Sequence, residues 1–179
     1  MYGIIYKAIE QYVVNSFGNT RWETIKSDSN IPIDTSIMEQ PYNDDANYKI
    51  AVTTAKHTNK PLDEVLFDFG EHIIKTTSEN YSIFMESRGN TMRDYLINLP
   101  NFHNRMMLIY PELTPPEFRV SNVEGNALVL HYISTTKGML SFVKGYLNGL
   151  MKIFKEMPEV KVINSENEIN KEYTFKISW

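Results

Sequence analysis

Three prolines, Pro111, Pro115 and Pro116, divide this chain into two parts with different sequence patterns. Proline removes a backbone donor and clashes with the preceding turn, so no helix is expected to continue through this segment. Before it, apolar residues recur at helical spacing. After it come short runs that alternate in the manner of strands. The chain is therefore predicted to be α+β, with a helical N-terminal part and a C-terminal antiparallel sheet that carries one long helix.

Helix boundaries in the first part follow from apolar stripes, capping residues and helix breakers. Gly18 is expected to end the first helix, and Thr20 is expected to cap a short helix over 22–25. Pro100 is expected to begin the helix that carries His103. The remaining segments are predicted as an irregular loop over 27–43, a helix over about 44–57, a helix from Pro61, and shorter helices over about 78–86 and 91–98.

The second part is predicted to begin with a hairpin. Residues 118–123 and 127–134 are strand-like and flank a turn at 124–126. A long amphipathic helix is expected over about 138–157, followed by two more strands. Those strands are expected at about 159–164 and 171–178, with a loop at 165–168 between them. The residues expected to face inward from the long helix are Met139, Phe142, Val143, Tyr146, Leu150, Ile153 and Phe154.

Composition narrows the class of protein. A chain of 179 residues is long enough for one domain with a core and a buried cofactor. A net charge of −4 argues against general binding of nucleic acid. The sequence has no cysteine, so thiolate metal sites are excluded and any metal must be held by nitrogen or oxygen. No signal-peptide pattern and no apolar run of membrane-spanning length is present, so a cytoplasmic location without membrane contact is expected.

The four histidines are the candidate metal ligands. His103 shares an apolar helical face with Met106, Met107 and Tyr110, where an unpaired imidazole would cost about 1–3 kcal/mol. An iron ion would satisfy the ring, and so would a backbone carbonyl in an ordinary core. His72 lies at the edge of another apolar stripe and is the rival axial ligand.

Tyr132 and Ser134 are two residues apart on a predicted strand, so their hydroxyls share one face, whereas His131 points to the other. Two adjacent donors suit a carboxylate such as a haem propionate, although an exposed polar strand would carry the same residues. Together with a helix histidine and apolar helices, the pair favours a pocket for haem. No phosphate loop, nucleophile elbow or zinc-binding histidine pair is present, so the domain is not expected to be an enzyme.

Several segments occur in an order typical of one family: Met1-Tyr2-Gly3, Phe69-Gly70-Glu71, Phe102-His103, Pro115-Pro116 and His131-Tyr132-Ile133-Ser134-Thr135. On these segments the whole chain resembles the haem–nitric oxide/oxygen binding (H-NOX) family, which is related to the haem domain of soluble guanylate cyclase. The resemblance implies haem b between the two parts, with His103 as the iron ligand and Pro116 pressing on the macrocycle. It also implies one sensor domain over 1–179, with a helical subdomain at about 1–60 and a haem-enclosing part at about 61–179.

The family's propionate-binding motif, Tyr-x-Ser-x-Arg, maps to Tyr132, Ser134 and Thr136. Threonine offers one neutral hydroxyl where arginine would offer a charged fork matched to a carboxylate. Lys137 is adjacent and could supply a charge as a single donor. The anchor is therefore expected to depend on Tyr132 and Ser134.

The resemblance places Phe142, Ile73 and Ile9 on the gas-binding side, and Ile5 completes the expected cofactor-binding set. None of these side chains can donate a hydrogen bond. Bound oxygen needs a donor, whereas nitric oxide and carbon monoxide need one much less. The implied function is therefore a nitric oxide sensor with a five-coordinate haem held by His103.

The sequence is also compatible with two other functions. A donor from Ser141, His72 or Tyr2 in the pocket would favour a protein that binds or senses oxygen. A pocket that is ordinary core would favour a cofactor-free adaptor domain. For a sensor, the resemblance implies movement of the His103 helix and a separate output protein, either a histidine kinase or a cyclic-di-nucleotide enzyme.

Overall fold

The computed structural model describes residues 2–31, 44–109, 111, 116–134, 136–164 and 172–179. The predicted α+β class is confirmed, since these residues form seven helices and a four-stranded antiparallel sheet. The interpretations that concern Met1, Pro32, Pro41, Tyr110, Pro115, Thr135 and the 165–168 loop fall outside the described residues. The order is α1 (Tyr2–Phe17), α2 (Asn19–Asp28), α3 (Asp44–Thr58), α4 (Leu62–Asn80), α5 (Ser82–Glu86), α6 (Met92–Ile109), β1 (Glu117–Glu124), β2 (Ala127–Ile133), α7 (Leu140–Phe154), β3 (Glu159–Asn164) and β4 (Glu172–Ser178).

The start of α2 differs from the prediction. The helix begins at Asn19, so Thr20 lies inside its first turn and does not cap it. Gly18 stands between α1 and α2 with a φ of 86°, a conformation that glycine adopts without the steric cost of a Cβ. The chain therefore turns sharply at one residue. The helix also extends to Asp28, two residues into the segment expected to be loop.

Pro100 lies inside α6, although the sequence predicted that a helix begins there. A single helix runs from Met92 to Ile109 and joins the two helices that were expected separately. The proline removes the amide that would bond to the carbonyl of Leu96, at a cost of about 3 kcal/mol in a helix interior. Leu96 and Leu99, which precede the proline in the same helix, are almost fully buried, and their packing offsets that cost. His103 is consequently held on a helix that is anchored well before it.

The sheet has the strand order β1-β2-β4-β3, and all neighbouring strands are antiparallel. The predicted hairpin is confirmed, with Gly125 and Asn126 in its turn. Alternate residues of the two central strands face the helices and are buried. They are Leu128, Leu130 and Tyr132 on β2, and Tyr173, Phe175 and Ile177 on β4. The apolar core therefore lies between this face and the helices.

Helices α4 and α7 approach each other backbone to backbone. A Cβ on Gly145 would lie 1.9 Å from the carbonyl oxygen of Phe67, and a Cβ on Gly70 would lie 2.1 Å from that of Phe142. A Cβ on Gly149 would lie 2.9 Å from the Cβ of Ile74. Any side chain larger than hydrogen at these positions would force the helices apart. The glycines of α7 therefore serve helix packing.

The apolar stripe of α7 is buried only as far as its last turn. Ile153, which was expected to face inward, is 37% exposed. No helix among the described residues is long and apolar enough to cross a membrane.

Candidate functional site

A cavity lies between the helices and the inner face of the sheet. Its empty space, including the open mouth, is about 920 Å³. The lining residues are Ile5, Asn47, Ile73, Ile74, Thr77, Phe84, Arg88, Tyr95, Leu99, His103, Pro116, Phe118, Tyr132, Ser134, Thr136, Met139, Phe142 and Tyr146.

Most residues singled out from the sequence meet in this cavity. Eight of them line it: His103, Pro116, Tyr132, Ser134, Thr136, Ile5, Ile73 and Phe142. Ile9 is fully buried in the core but is not among the lining residues. Ser141, one of the candidate donors for oxygen binding, does not line the cavity either.

The imidazole of His103 lies in the cavity wall among aromatic rings. Its ring centre is 5.1 Å from that of Phe118 and 6.2 Å from that of Phe102. The buried Nδ1 atom has no hydrogen-bond partner among the described residues. Burial, together with the nearby charge of Arg88, lowers the pKa of His103 from 6.5 to about 4. The ring is therefore neutral at pH 7, which is the form that ligates metals.

The other three histidines do not line the cavity. His57 is 2.8 Å from a carboxylate oxygen of Asp28. His72 packs against α1, with its ring centre 5.7 Å from that of Tyr12. His131 faces away from the helices, where Ser121 and Glu172 are its hydrogen-bond partners at 2.7 and 2.6 Å. The rival His72 is therefore not positioned to ligate a group in this cavity.

Ser134 and Thr136 have different hydrogen-bonding capacity toward the cavity. Thr136 donates its hydroxyl proton to Asp45 at 2.8 Å, so that proton is already in use. Ser134 accepts the backbone N–H of Thr136 at 3.0 Å, which leaves its own hydroxyl proton available. Asn47 also lines this region, and its buried Oδ1 has no partner among the described residues. Lys137 is exposed and does not line the cavity.

The sequence did not single out a pair of tyrosines in the cavity wall. The hydroxyl oxygens of Tyr95 and Tyr146 are 2.8 Å apart. Burial raises the pKa of each, so both remain protonated near pH 7. Tyr146 belongs to the apolar stripe predicted on α7, and Tyr95 precedes His103 by eight residues on α6. Their meeting depends on how the two helices pack, and no sequence spacing gives it.

Arg88, like Tyr95, is a cavity residue that the sequence did not indicate. It follows α5, lines the cavity and is only 3% exposed. Its guanidinium carbon lies 3.6 Å from the centre of the Phe102 ring and 5.0 Å from that of Tyr95. Surface exposure is the usual expectation for arginine, so nothing in the local pattern could have placed it here.

Comparison with known proteins adds a family match. A family model described as "Haem-NO-binding" matches residues 2–162. Soluble guanylate cyclase gcy-31 of Caenorhabditis elegans is 26% identical over 175 residues, which cover 97% of this chain and 25% of that protein. Soluble guanylate cyclase 89Da of Drosophila melanogaster is 26% identical over 173 residues, covering 95% of this chain and 26% of that protein. The chain thus spans about a quarter of the length of these curated relatives.

Solved structures share the fold. An H-NOX protein from S. oneidensis in the Fe(II)NO ligation state has a TM-score of 0.85 at 17% identity, covering 99% of this chain and 98% of that one. An oxygen-binding H-NOX domain related to soluble guanylate cyclases has a TM-score of 0.82 at 20% identity, covering 99% and 94%. At these identities the likeness concerns the fold.

Proposed function

Because this chain belongs to the haem-NO-binding family of haem-based gas sensors, we propose that it binds haem b through His103 and senses nitric oxide. The observation that carries the proposal is the neutral imidazole of His103 in the wall of the cavity, with Nδ1 unpartnered among the described residues. An iron ligand bond would give the ring a partner.

The residues present fit a haem. The walls are largely aliphatic and aromatic, as the faces of a porphyrin require, with Pro116 and Ile5 among the lining residues. The available Ser134 hydroxyl and the neighbouring Tyr132 suit the carboxylates. When bound, the group supplies iron with a coordination position at which a diatomic gas binds. The protein supplies the ligand, the shape and the polarity around that position.

The choice between gases is proposed to depend on Phe142 and Ile73. Both are buried, line the cavity and carry no hydrogen-bond donor. A donor to bound oxygen would contribute about 1.5–3 kcal/mol, and losing that amount weakens oxygen binding by roughly one to two powers of ten. Nitric oxide and carbon monoxide depend much less on a donor, so these surroundings favour them over oxygen.

Absorption spectroscopy of the purified ferrous protein tests this function. We expect a Soret band, spectral changes with nitric oxide and with carbon monoxide, and no stable oxygen complex in air. The variant Phe142→Tyr combined with Ile73→Asn should gain oxygen binding, because it adds a hydroxyl and an amide to position it. Absence of a Soret band after reconstitution would leave a cofactor-free adaptor, and a stable oxygen complex in the parent protein would overturn the nitric oxide assignment.

An oxygen sensor is the second candidate, and the Tyr95–Tyr146 pair favours it. One hydrogen bond between two hydroxyls uses one proton and leaves the other available to a further acceptor. Tyr146 lines the same cavity as Phe142, one turn farther along α7. If the parent protein binds oxygen stably and Tyr146→Phe abolishes that binding, the oxygen function replaces the nitric oxide function.

We propose that the described helices and sheet form one domain over 1–179, located in the cytoplasm. The proposed output is a change in the position of α6. This helix carries His103 and also packs against β1, so a movement at the histidine would be transmitted to the sheet. A separate histidine kinase or cyclic-di-nucleotide enzyme would respond to it, whereas the cyclase relatives favour an attached cyclase. Kinase autophosphorylation and cyclase activity, each measured with the ferrous protein and with its nitric oxide complex, distinguish these outputs.

A further inference from the structure

Arg88 is the one charged side chain among the described residues that line the cavity. Its side chain is almost fully buried, and no carboxylate pairs with it in the described parts of the chain. One terminal nitrogen donates to the carbonyl of Phe84 at 2.6 Å, whereas the buried Nε has no partner. The guanidinium also lies over the faces of the Phe102 and Tyr95 rings.

An arginine in this position is costly for the fold. A buried charge without an ionic partner loses its hydration, and one hydrogen bond and two ring faces return only part of that loss. The guanidinium therefore places a positive charge in the cavity wall. An apolar side chain of similar length would remove the cost, which indicates that the charge serves what the cavity holds.

The charge lies close to the proposed iron ligand. The guanidinium carbon and the His103 ring flank the same Phe102 ring, at 3.6 Å and 6.2 Å from its centre, so they are no more than about 10 Å apart. Thr136, which also lines the cavity, stands where the propionate motif of the resembling family has an arginine. The positive charge in this cavity is therefore beside the histidine and not at Thr136.

We propose that Arg88 holds the bound iron in the ferrous state by raising its reduction potential. This inference rests on the proposed binding of haem through His103. Reduction adds one electron to ferric iron and lowers the charge of the site by one, so a fixed positive charge nearby favours the reduced form. With the bound of about 10 Å between the guanidinium and the His103 ring as the distance scale, and an effective dielectric constant of about 20, the charge favours the ferrous form by roughly tenfold.

The test is a spectroelectrochemical titration of the haem-loaded protein, in which soluble mediators of known potential supply the electron. The main variant is Arg88→Met, which removes the charge together with the burial cost and keeps the fold. We expect the ferrous-to-ferric ratio at a fixed potential to fall about tenfold, a downward shift of about 59 mV in midpoint potential. Arg88→Lys, which keeps a charge, should retain most of the parent's potential.

Arg93→Gln is the matched control, because Arg93 is on α6 but does not line the cavity. It should leave the midpoint potential unchanged. Urea unfolding of haem-free Arg88→Met should show stability equal to or above that of the parent. If haem-loaded Arg88→Met has the same midpoint potential as the parent, this inference is overturned and the proposed function is not. The same holds if the midpoint potential of Arg88→Lys falls as far as that of Arg88→Met. A parent protein that binds no haem would overturn the proposed function and this inference with it.

Discussion

The hydroxyl oxygens of Tyr95 and Tyr146 lie 2.8 Å apart and form a buried hydrogen bond between α6 and α7. Helix α6 carries His103 and α7 carries Phe142. The contact therefore joins the two helices on which iron ligation and the choice of gas are proposed to depend. Burial raises the pKa of both tyrosines. The bond therefore persists, with both hydroxyls protonated, across the physiological pH range.

We expect Tyr146→Phe to lower the free energy of unfolding of the haem-free protein by about 1–3 kcal/mol, since the Tyr95 hydroxyl would be buried without this partner. The reciprocal Tyr95→Phe should have a similar effect. The double variant should recover much of the loss because both partners are then apolar. Urea unfolding of the four proteins measures the coupling, and strictly additive losses would show that the hydroxyls do not interact.

Replacing His103 with glycine should remove the bond between protein and iron, because the other three histidines lie outside the cavity lining. The ferrous absorption spectrum should change, and imidazole in the buffer should restore haem binding. His72→Ala is the matched control and should leave the ferrous spectrum as in the parent. The opposite result, a change with His72→Ala and none with His103→Gly, would assign the ligand to His72.

The combined variant Tyr132→Phe and Ser134→Ala should raise the rate of haem loss to apomyoglobin, because it removes two hydroxyl donors from the cavity. Thr136→Arg should slow haem loss, since it adds a charged fork and gives Asp45, the present partner of Thr136, a cation nearby. Lys137→Gln is the control, because Lys137 does not line the cavity. Haem loss that is unchanged in the double variant would mean that the carboxylates are held elsewhere.

The haem-free protein should become less stable as the pH falls from about 6.5 to about 4. Over this interval an unfolded chain protonates its His103, whereas the folded chain, with a pKa of about 4 at this residue, does not. The unfolded state then binds more protons, so the free energy of unfolding decreases with decreasing pH. Urea unfolding at pH 7 and pH 5 should show a smaller decrease in His103→Leu than in the parent, and equal decreases would contradict the assigned pKa.

Gly145→Ala should destabilise the fold by about 1–3 kcal/mol or more, because its Cβ would overlap the carbonyl oxygen of Phe67. The neighbouring Lys144 is exposed, so Lys144→Ala should change the stability by less than about 0.5 kcal/mol. Thermal unfolding followed by circular dichroism compares the two variants. Equal stability in both would show that α4 and α7 can separate at little cost.

The fold class and most elements followed from the sequence because they depend on local patterns. The alternation of apolar and polar residues predicted both strands of the hairpin, and the recurrence of apolar residues with a period of about 3.6 predicted α7. The errors arose where tertiary packing outweighed a local preference. Pro100 has the local chemistry of a helix start, yet Leu96 and Leu99 just before it are buried and the helix continues through it.

The lining of the cavity could be predicted in part. His103 and the pair Tyr132 and Ser134 have local spacings that specify a face, and all three line the cavity. Arg88 and Tyr95 have no such signal, because their importance depends on what packs against them. A buried arginine cannot be distinguished in sequence from an exposed one, and a hydrogen bond across 51 residues has no periodicity.

The backbone contact between α4 and α7 also bears on how this pocket could be altered, in evolution or by design. Ile73 is on α4 and Phe142 is on α7. The glycines bring the two backbones into direct contact, so the helices cannot move closer together. The fold therefore fixes the distance between the two helices and, with it, the width of the pocket on this side. New ligand preferences must therefore come from exchanging the side chains at these two positions, one atom or one polar group at a time, and the scaffold itself supplies no further room.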